Sequence, residues 1–121
     1  MRILFLAFVF LPFILTVHAQ RSFSQYMCQV TYKQSETAFY LMVSEKKQIE
    51  VGGWKLNAQI ERLVNLMEVS LERKVDIMDA SYERKAKRSY PLNARSLPVQ
   101  LEHTFGGVTD IFNMTCTPRD P

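Results

Sequence analysis

The stretch "LNAQIERLVNLMEVSL", residues 56–71, decides the predicted fold class, because its apolar residues recur at the spacing of an α-helix. The apolar positions follow one another at intervals of four, three, four and four residues; they are Leu56, Ile60, Leu63, Met67 and Leu71. Val64 widens this stripe, as expected for a helix with one buried face. The pattern predicts an amphipathic helix of about four to five turns, whose Ile60, Leu63, Val64 and Met67 face a sheet.

The segments on both sides of this stretch are rich in residues that favour β-strands. Residues 26–32 and 38–43, joined by the polar "KQSET", predict an N-terminal β-hairpin. Short strands are expected within residues 75–78 and 81–90. Better candidates are residues 96–105 and 110–116, with Gly106-Gly107 as a tight connection. The order of hairpin, helix and further strands predicts an α+β fold, with one long helix packed on an antiparallel sheet.

The N-terminus has the pattern of a secretory signal peptide. Arg2 precedes an almost continuous apolar run from Ile3 to Val17, and Ala19 ends a plausible cleavage site. The run is shorter than the roughly 20 residues that a bilayer-spanning helix needs, and Pro12 interrupts it. We therefore expect residues 1–19 to be removed. Residues 20–121 would then form a single secreted domain without a membrane anchor.

The chain contains two cysteines, Cys28 and Cys116, which are placed near the two ends of this predicted domain. Passage through an oxidising compartment favours a disulfide between them. In the chain-entropy model, such a long loop contributes about 4–5 kcal/mol. Two cysteines and His103 fall short of the four ligands of a structural zinc site, so no metal is expected. The formal net charge of +3 is mild and does not by itself require a nucleic-acid partner.

Two further motifs suggest surface chemistry. The run "ERKAKR", residues 83–88, holds four basic side chains. It fits a solvated loop or edge strand, whose lysines block aggregation, and it also fits a phosphate-contact patch that includes Lys85, Lys87 and Arg88. Asn113-Met114-Thr115 matches the N-glycosylation acceptor pattern, although it lies within a predicted strand and next to Cys116.

The layout of the whole chain resembles a group of secreted effectors from grass powdery mildew fungi. The resemblance rests on the signal peptide, the motif Tyr26-Met27-Cys28 at the start of the domain, its length, and the late Cys116. Many members of that group are similar in fold to guanyl-specific fungal ribonucleases. The resemblance implies a ribonuclease-like virulence or avirulence protein that acts on host plant proteins or RNA inside the cell, where an intracellular immune receptor could recognise it.

The same resemblance implies roles for two residues. His103 falls where the ribonucleases keep the histidine that protonates the leaving group, and Arg88 falls roughly where they keep a phosphate-stabilising arginine. The family's earlier histidine and its glutamate base lack counterparts, and cleavage needs both a base and an acid. We therefore expect a pseudo-ribonuclease without a cofactor. The alternatives are an active endoribonuclease that uses an acid such as Asp79 as its base, and an RNA-binding module that does not cleave.

Overall fold

The computed structural model describes residues 23–77 and 80–119, which form eight β-strands and no helix. The strands are β1 (Gln25–Tyr32), β2 (Ser35–Met42), β3 (Lys46–Val51), β4 (Trp54–Arg62), β5 (Leu66–Ile77), β6 (Ala80–Pro91), β7 (Leu97–Phe105) and β8 (Val108–Pro118). The predicted signal peptide and Asp79 lie outside the described residues.

The strands build two antiparallel sheets of four strands each. The first sheet has the order β2-β1-β8-β7, and the second has the order β3-β4-β5-β6. The second sheet is a simple meander inserted between two hairpins of the first sheet, which the pairing of β1 with β8 holds together. One buried apolar cluster contains residues from both sheets, so the fold is a small β-sandwich.

The predicted α+β fold and its ribonuclease-like architecture are therefore wrong. Residues 56–71 contain most of β4, a turn and the first half of β5, which pair as an antiparallel hairpin. Leu63 and Val64 were predicted to lie on the buried face of a helix. They instead lie at the hairpin turn, where 41% and 97% of their surface is exposed.

The alternation of side chains along β4 and β5 explains why this stretch forms strands. Residues two apart along a strand point to the same face of the sheet. The buried positions follow that period and are Leu56, Ala58 and Ile60 on β4, and Met67, Val69 and Leu71 on β5. Four of these six also fit the helical spacing, because steps of four residues satisfy both periods. Ala58 and Val69 distinguish the strand pattern from the helical pattern, since they lie outside the helical stripe but are fully buried in the sandwich.

Glycine pairs close two of the hairpins at the same end of the sandwich. Gly52-Gly53 joins β3 to β4 and Gly106-Gly107 joins β7 to β8, and all four residues have positive φ. A two-residue turn of this type matches the twist of the strands and favours glycine. Gly52 is further constrained, because an added Cβ would lie 2.8 Å from the ring of Tyr32. The predicted tight connection at Gly106-Gly107 is confirmed.

The strands expected outside the helical stretch are also present. The N-terminal hairpin forms between β1 and β2, with a shorter turn at residues 33–34 than the one predicted. Residues 75–78 and 81–90 fall largely on β5 and β6, and residues 96–105 and 110–116 fall largely on β7 and β8. These segments are short and most are rich in residues that favour β-strands, which is why they were predicted as strands.

Candidate functional site

A disulfide joins Cys28 to Cys116, as predicted, with an S–S distance of 2.02 Å. The two residues face each other directly across the β1–β8 pair, and both are fully buried. Their Cα atoms are 4.0 Å apart, which is below the range of about 4.4–6.8 Å that we expected from typical disulfides. The bridge fastens the first strand of the fold to the last.

The Tyr26-Met27-Cys28 motif occupies both faces of β1. Tyr26 and Cys28 point into the core and are fully buried, whereas 44% of the Met27 surface is exposed on the outer face of the first sheet. Burial raises the pKa of the Tyr26 phenol. Two positions of the motif therefore contribute to packing and to the disulfide, and its middle position is exposed.

A cluster of polar side chains connects the two sheets beneath the glycine turns. Nη1 of Arg73 on β5 donates to Oδ2 of Asp110 on β8 at 3.1 Å. The hydroxyl of Tyr32 on β1 donates to the other carboxylate oxygen at 2.5 Å. The guanidinium carbon of Arg73 lies 3.6 Å from the ring centroid of Trp54. Since both Asp110 oxygens are engaged and Arg73 is buried, these groups hold the sheets together.

His103 lies in the interior next to this cluster. It is 2% exposed and faces Asp110 directly across the β7–β8 pair. Burial lowers the pKa of the ring, and the positive charges of Arg73 and Arg84 lower it further, while Asp110 opposes them. The arginines that act on His103 are thus Arg73 and Arg84. The predicted proton-donating role of His103 would require a substrate to reach a side chain that solvent barely touches.

The basic run of residues 83–88 lies on the edge strand β6 and is divided between two faces. Lys85 and Lys87 pair in register with Glu72 and Ser70, and they point to the outer face of the second sheet. Arg88 pairs with the buried Val69 and points to the opposite side, towards β7. The four residues that we predicted to contact RNA or phosphate, Lys85, Lys87, Arg88 and His103, thus lie in three different environments. Contact with RNA stays a prediction.

The outer face of the first sheet carries an exposed apolar cluster that was not among the predicted sites. Met27 and Tyr40 are direct cross-strand neighbours, and Met42 lies one step further along β2. Their exposed fractions are 44%, 44% and 52%. The guanidinium carbon of Arg119 is 4.6 Å from the Tyr40 ring centroid. We call Met27, Tyr40, Met42 and Arg119 the methionine–tyrosine patch.

A period-two pattern could have located this patch from the sequence. Within the predicted N-terminal hairpin, Tyr26 and Cys28 alternate with Met27, and Phe39 and Leu41 alternate with Tyr40 and Met42. Both sets are apolar, so the hairpin has no polar face at this end. An antiparallel strand that is apolar on both faces has either a second buried side or an exposed surface that binds something.

Asn113, the predicted glycosylation acceptor, is exposed on the outer face of the first sheet, and Thr115 is exposed on the same face. The two side chains lie on β8, an inner strand of the sheet. The acceptor is therefore accessible although it lies in a strand rather than in a loop. Its modification stays a prediction.

Within the described residues, no group of three or more His, Cys, Asp or Glu side chains is arranged to hold a metal ion. A helix that is long and apolar enough to cross a membrane is likewise not found among residues 23–77 and 80–119. In comparisons with known proteins, no family model matches the chain, and no curated protein or solved structure shows significant similarity to it.

Proposed function

We propose that this protein is a secreted, non-catalytic effector that docks on a host protein through the methionine–tyrosine patch. The observation that carries the proposal is the patch itself. Three large apolar side chains are exposed side by side on a regular sheet, with one arginine at their border. Tyrosine, methionine and arginine are the residue types enriched at protein–protein interfaces. Methionine also adapts its shape to different partners.

The chemistry of the patch indicates what kind of protein surface would complement it. A protein surface with an apolar centre and a carboxylate opposite Arg119 would complement it in both shape and charge. The Lys47 ammonium donates to the Tyr40 carbonyl at 3.0 Å and closes part of the β2 edge. Side chains on the outer face are therefore better placed to bind than the backbone of this edge strand.

The layout of the chain supports an effector role. The signal pattern, the Tyr26-Met27-Cys28 motif and the late Cys116 still resemble the secreted effectors of grass powdery mildews. The ribonuclease-like scaffold is no longer part of the proposal, because the all-β fold contradicts it. Binding to a host protein requires only an exposed surface, and the fold provides one.

We propose a non-catalytic role because the candidate acid–base groups are buried or paired with one another. His103 is enclosed between the sheets, and Asp110 and Arg73 bind each other. A general acid and a base must both reach the proton that they transfer in the substrate. Incubation of the oxidised protein with a guanosine-containing RNA should therefore give no enzymatic turnover. Robust cleavage that disappears in His103→Ala or Arg88→Ala would favour the ribonuclease alternative.

Site-specific photo-crosslinking in host leaf extract tests the docking surface. A photoreactive phenylalanine analogue at position 40 should give a discrete protein adduct, whereas the same analogue at Gln48 should not. Gln48 is an exposed residue on β3, in the other sheet. Binding of the purified adduct partner should weaken by at least about tenfold in Met42→Asp, since that change places a charge in the apolar centre.

The outcomes separate the proposal from its competitors. The Gln48→Asp control should bind the partner as the unchanged protein does. Adducts of equal yield at positions 40 and 48 would indicate nonspecific capture and would contradict the proposal. If the adduct is a second copy of this chain, and size-exclusion chromatography shows a dimer, the patch mediates self-association and the proposed docking on a host protein is wrong.

A further inference from the structure

A groove of about 350 Å³ lies where β6, the edge strand of the second sheet, approaches β7, the edge strand of the first. Side chains from three strands line it, among them Arg88, Tyr90, Pro98, Gln100, Asn113 and Thr115. The groove opens on the outer face of the first sheet. None of the residues that line it belongs to the methionine–tyrosine patch, whose three apolar side chains lie on β1 and β2.

The floor of the groove presents uncharged hydrogen-bonding groups in a regular arrangement. Gln100 lies directly opposite Asn113 across the β7–β8 pair, and Pro98 lies opposite Thr115. Cross-strand neighbours of this kind have Cβ atoms about 5 Å apart. Two amides and one hydroxyl therefore project together from adjacent strands. Each of these groups can both donate and accept a hydrogen bond.

A single positive charge stands at one wall. Arg88 is exposed, no acidic residue is among those that line the groove, and no ion pair of Arg88 is found among the described residues. Its neighbour Lys87, on the opposite face of the strand, has its Nζ 3.5 Å from a carboxylate oxygen of Glu68. The Arg88 guanidinium thus remains available to an external carboxylate, to which it can donate two parallel hydrogen bonds.

An aromatic ring completes the wall on the β6 side. Tyr90 is half-buried, and its hydroxyl donates to the carbonyl oxygen of Pro98. This hydrogen bond fixes the ring beside the amides and satisfies a carbonyl on the edge of the first sheet. A held aromatic ring with an apolar body and a polar tip is well suited to contact the face of a small ring-shaped ligand.

We infer that this groove binds a saccharide that carries a carboxylate. The amides and the hydroxyl match the paired donors and acceptors of sugar hydroxyls, Arg88 matches the carboxylate, and Tyr90 offers a surface to the sugar ring. The inference is independent of the proposed docking on a host protein. Either binding function can fail without the other.

A titration of the protein with digalacturonate, followed by ¹H–¹⁵N NMR, tests this inference. The protein is produced in an oxidising bacterial compartment, so that Asn113 carries no glycan that would fill the groove. Digalacturonate at millimolar concentrations should shift the resonances of Gln100, Asn113 and Thr115. Arg88→Ala should weaken binding by about tenfold or more, as expected for the loss of a charge-assisted hydrogen bond. The NMR spectrum also shows whether each variant remains folded.

Lys87→Ala is the matched control, because it removes the same charge from the adjacent residue on the other face. It should leave the affinity within about twofold of the unchanged protein. The disaccharide with its carboxylates reduced to alcohols should bind more weakly. The inference is overturned if no resonance of the groove shifts, if Lys87→Ala and Arg88→Ala weaken binding equally, or if guanosine monophosphate binds more tightly than digalacturonate.

Discussion

Arg73 carries a positive charge that is buried between the sheets, and three neighbouring side chains compensate for its burial. Asp110 neutralises it, Trp54 covers its guanidinium plane, and Tyr32 holds the second oxygen of Asp110. A buried ion pair gains little over a well-packed apolar pair, but the loss of one partner leaves a charge without compensation. This cluster is therefore sensitive to single substitutions.

We expect Asp110→Ala to lower the free energy of unfolding by about 3 kcal/mol, at the low end for a buried pair because 13% of the Asp110 side chain is exposed. Urea unfolding measures this change. Lys46→Ala is the control: it removes a 3.7 Å ion pair with Glu72, in which the lysine side chain is 56% exposed, and should cost less than about 1 kcal/mol. Equal effects of the two substitutions would mean that the Arg73–Asp110 pair does not hold the sheets together.

The two titratable groups of this cluster predict how stability depends on pH. The hydrogen bond from Tyr32, followed by Arg73, holds the pKa of Asp110 below its ordinary value of 3.8, so its contribution is lost as the pH falls below that value. The pKa of His103 lies below its ordinary 6.5, chiefly because of burial. In the unfolded chain His103 takes up its proton first as the pH falls. Stability should therefore begin to fall below about pH 6.5 and should fall further below about pH 4.

Unfolding free energies measured in urea from pH 7.5 to pH 3 would show these two phases. His103→Phe should remove the first phase, and Asp110→Asn should remove most of the second. A fall near pH 6 that persists in folded His103→Phe would assign that phase to another group.

The hairpin of β4 and β5 shows how an element can satisfy two patterns at once. Leu56, Ile60, Met67 and Leu71 fit both a helical stripe and the inner faces of two strands. Ile60 and Met67, on either side of the turn, are seven residues apart, which is also the spacing of two helical turns. The helical pattern therefore continues across the turn between the strands. Packing of both strands against the first sheet buries Ala58 and Val69 as well. In a helix these two residues would lie away from the buried stripe.

Two leucines of this hairpin give a matched test of the element. Leu71 is fully buried and Leu63 is 41% exposed at the turn. We expect Leu71→Ala to cost about 2–5 kcal/mol of unfolding free energy, as is usual for a buried leucine. Leu63→Ala should cost less than about 1 kcal/mol, since its surroundings are largely solvent. A cost for Leu63→Ala as large as that for Leu71→Ala would instead support the helical interpretation, because both leucines lie on the predicted helical stripe.

At the scale of the whole molecule, the β1–β8 pair and its disulfide close the sandwich. The meander of the second sheet is inserted between the two hairpins of the first, so the contacts between those hairpins are far apart in the sequence. A covalent bond across 88 residues restricts the unfolded chain strongly. This closure is the feature of the fold that depends on an oxidising environment, because the disulfide does not persist where thiols are kept reduced.

We expect the Cys28→Ala/Cys116→Ala double variant to lose about 2–5 kcal/mol of unfolding free energy. Thermal and urea unfolding followed by circular dichroism measures the loss. Far-ultraviolet spectra of the unchanged protein should show β-structure without helical minima. Unfolding in the presence of a reducing agent serves as the control. The reducing agent should destabilise the unchanged protein but not the double variant, which has no disulfide to reduce. An unchanged midpoint in the double variant would mean that the disulfide contributes no net stability.

The sequence by itself determined the features that depend on local or covalent rules. Richness in β-forming residues indicated the terminal strands, the Gly106-Gly107 pair indicated a tight turn, and two cysteines in a secretory pattern indicated the disulfide. The tertiary structure alone decided whether residues 56–71 form a helix or a hairpin, because both periods bury the same four residues and only packing against a second sheet separates them. It also decided where the chemistry lies. Strand alternation separates Arg88 from Lys87, and sheet packing encloses His103, and both depend on neighbours that are distant in the sequence.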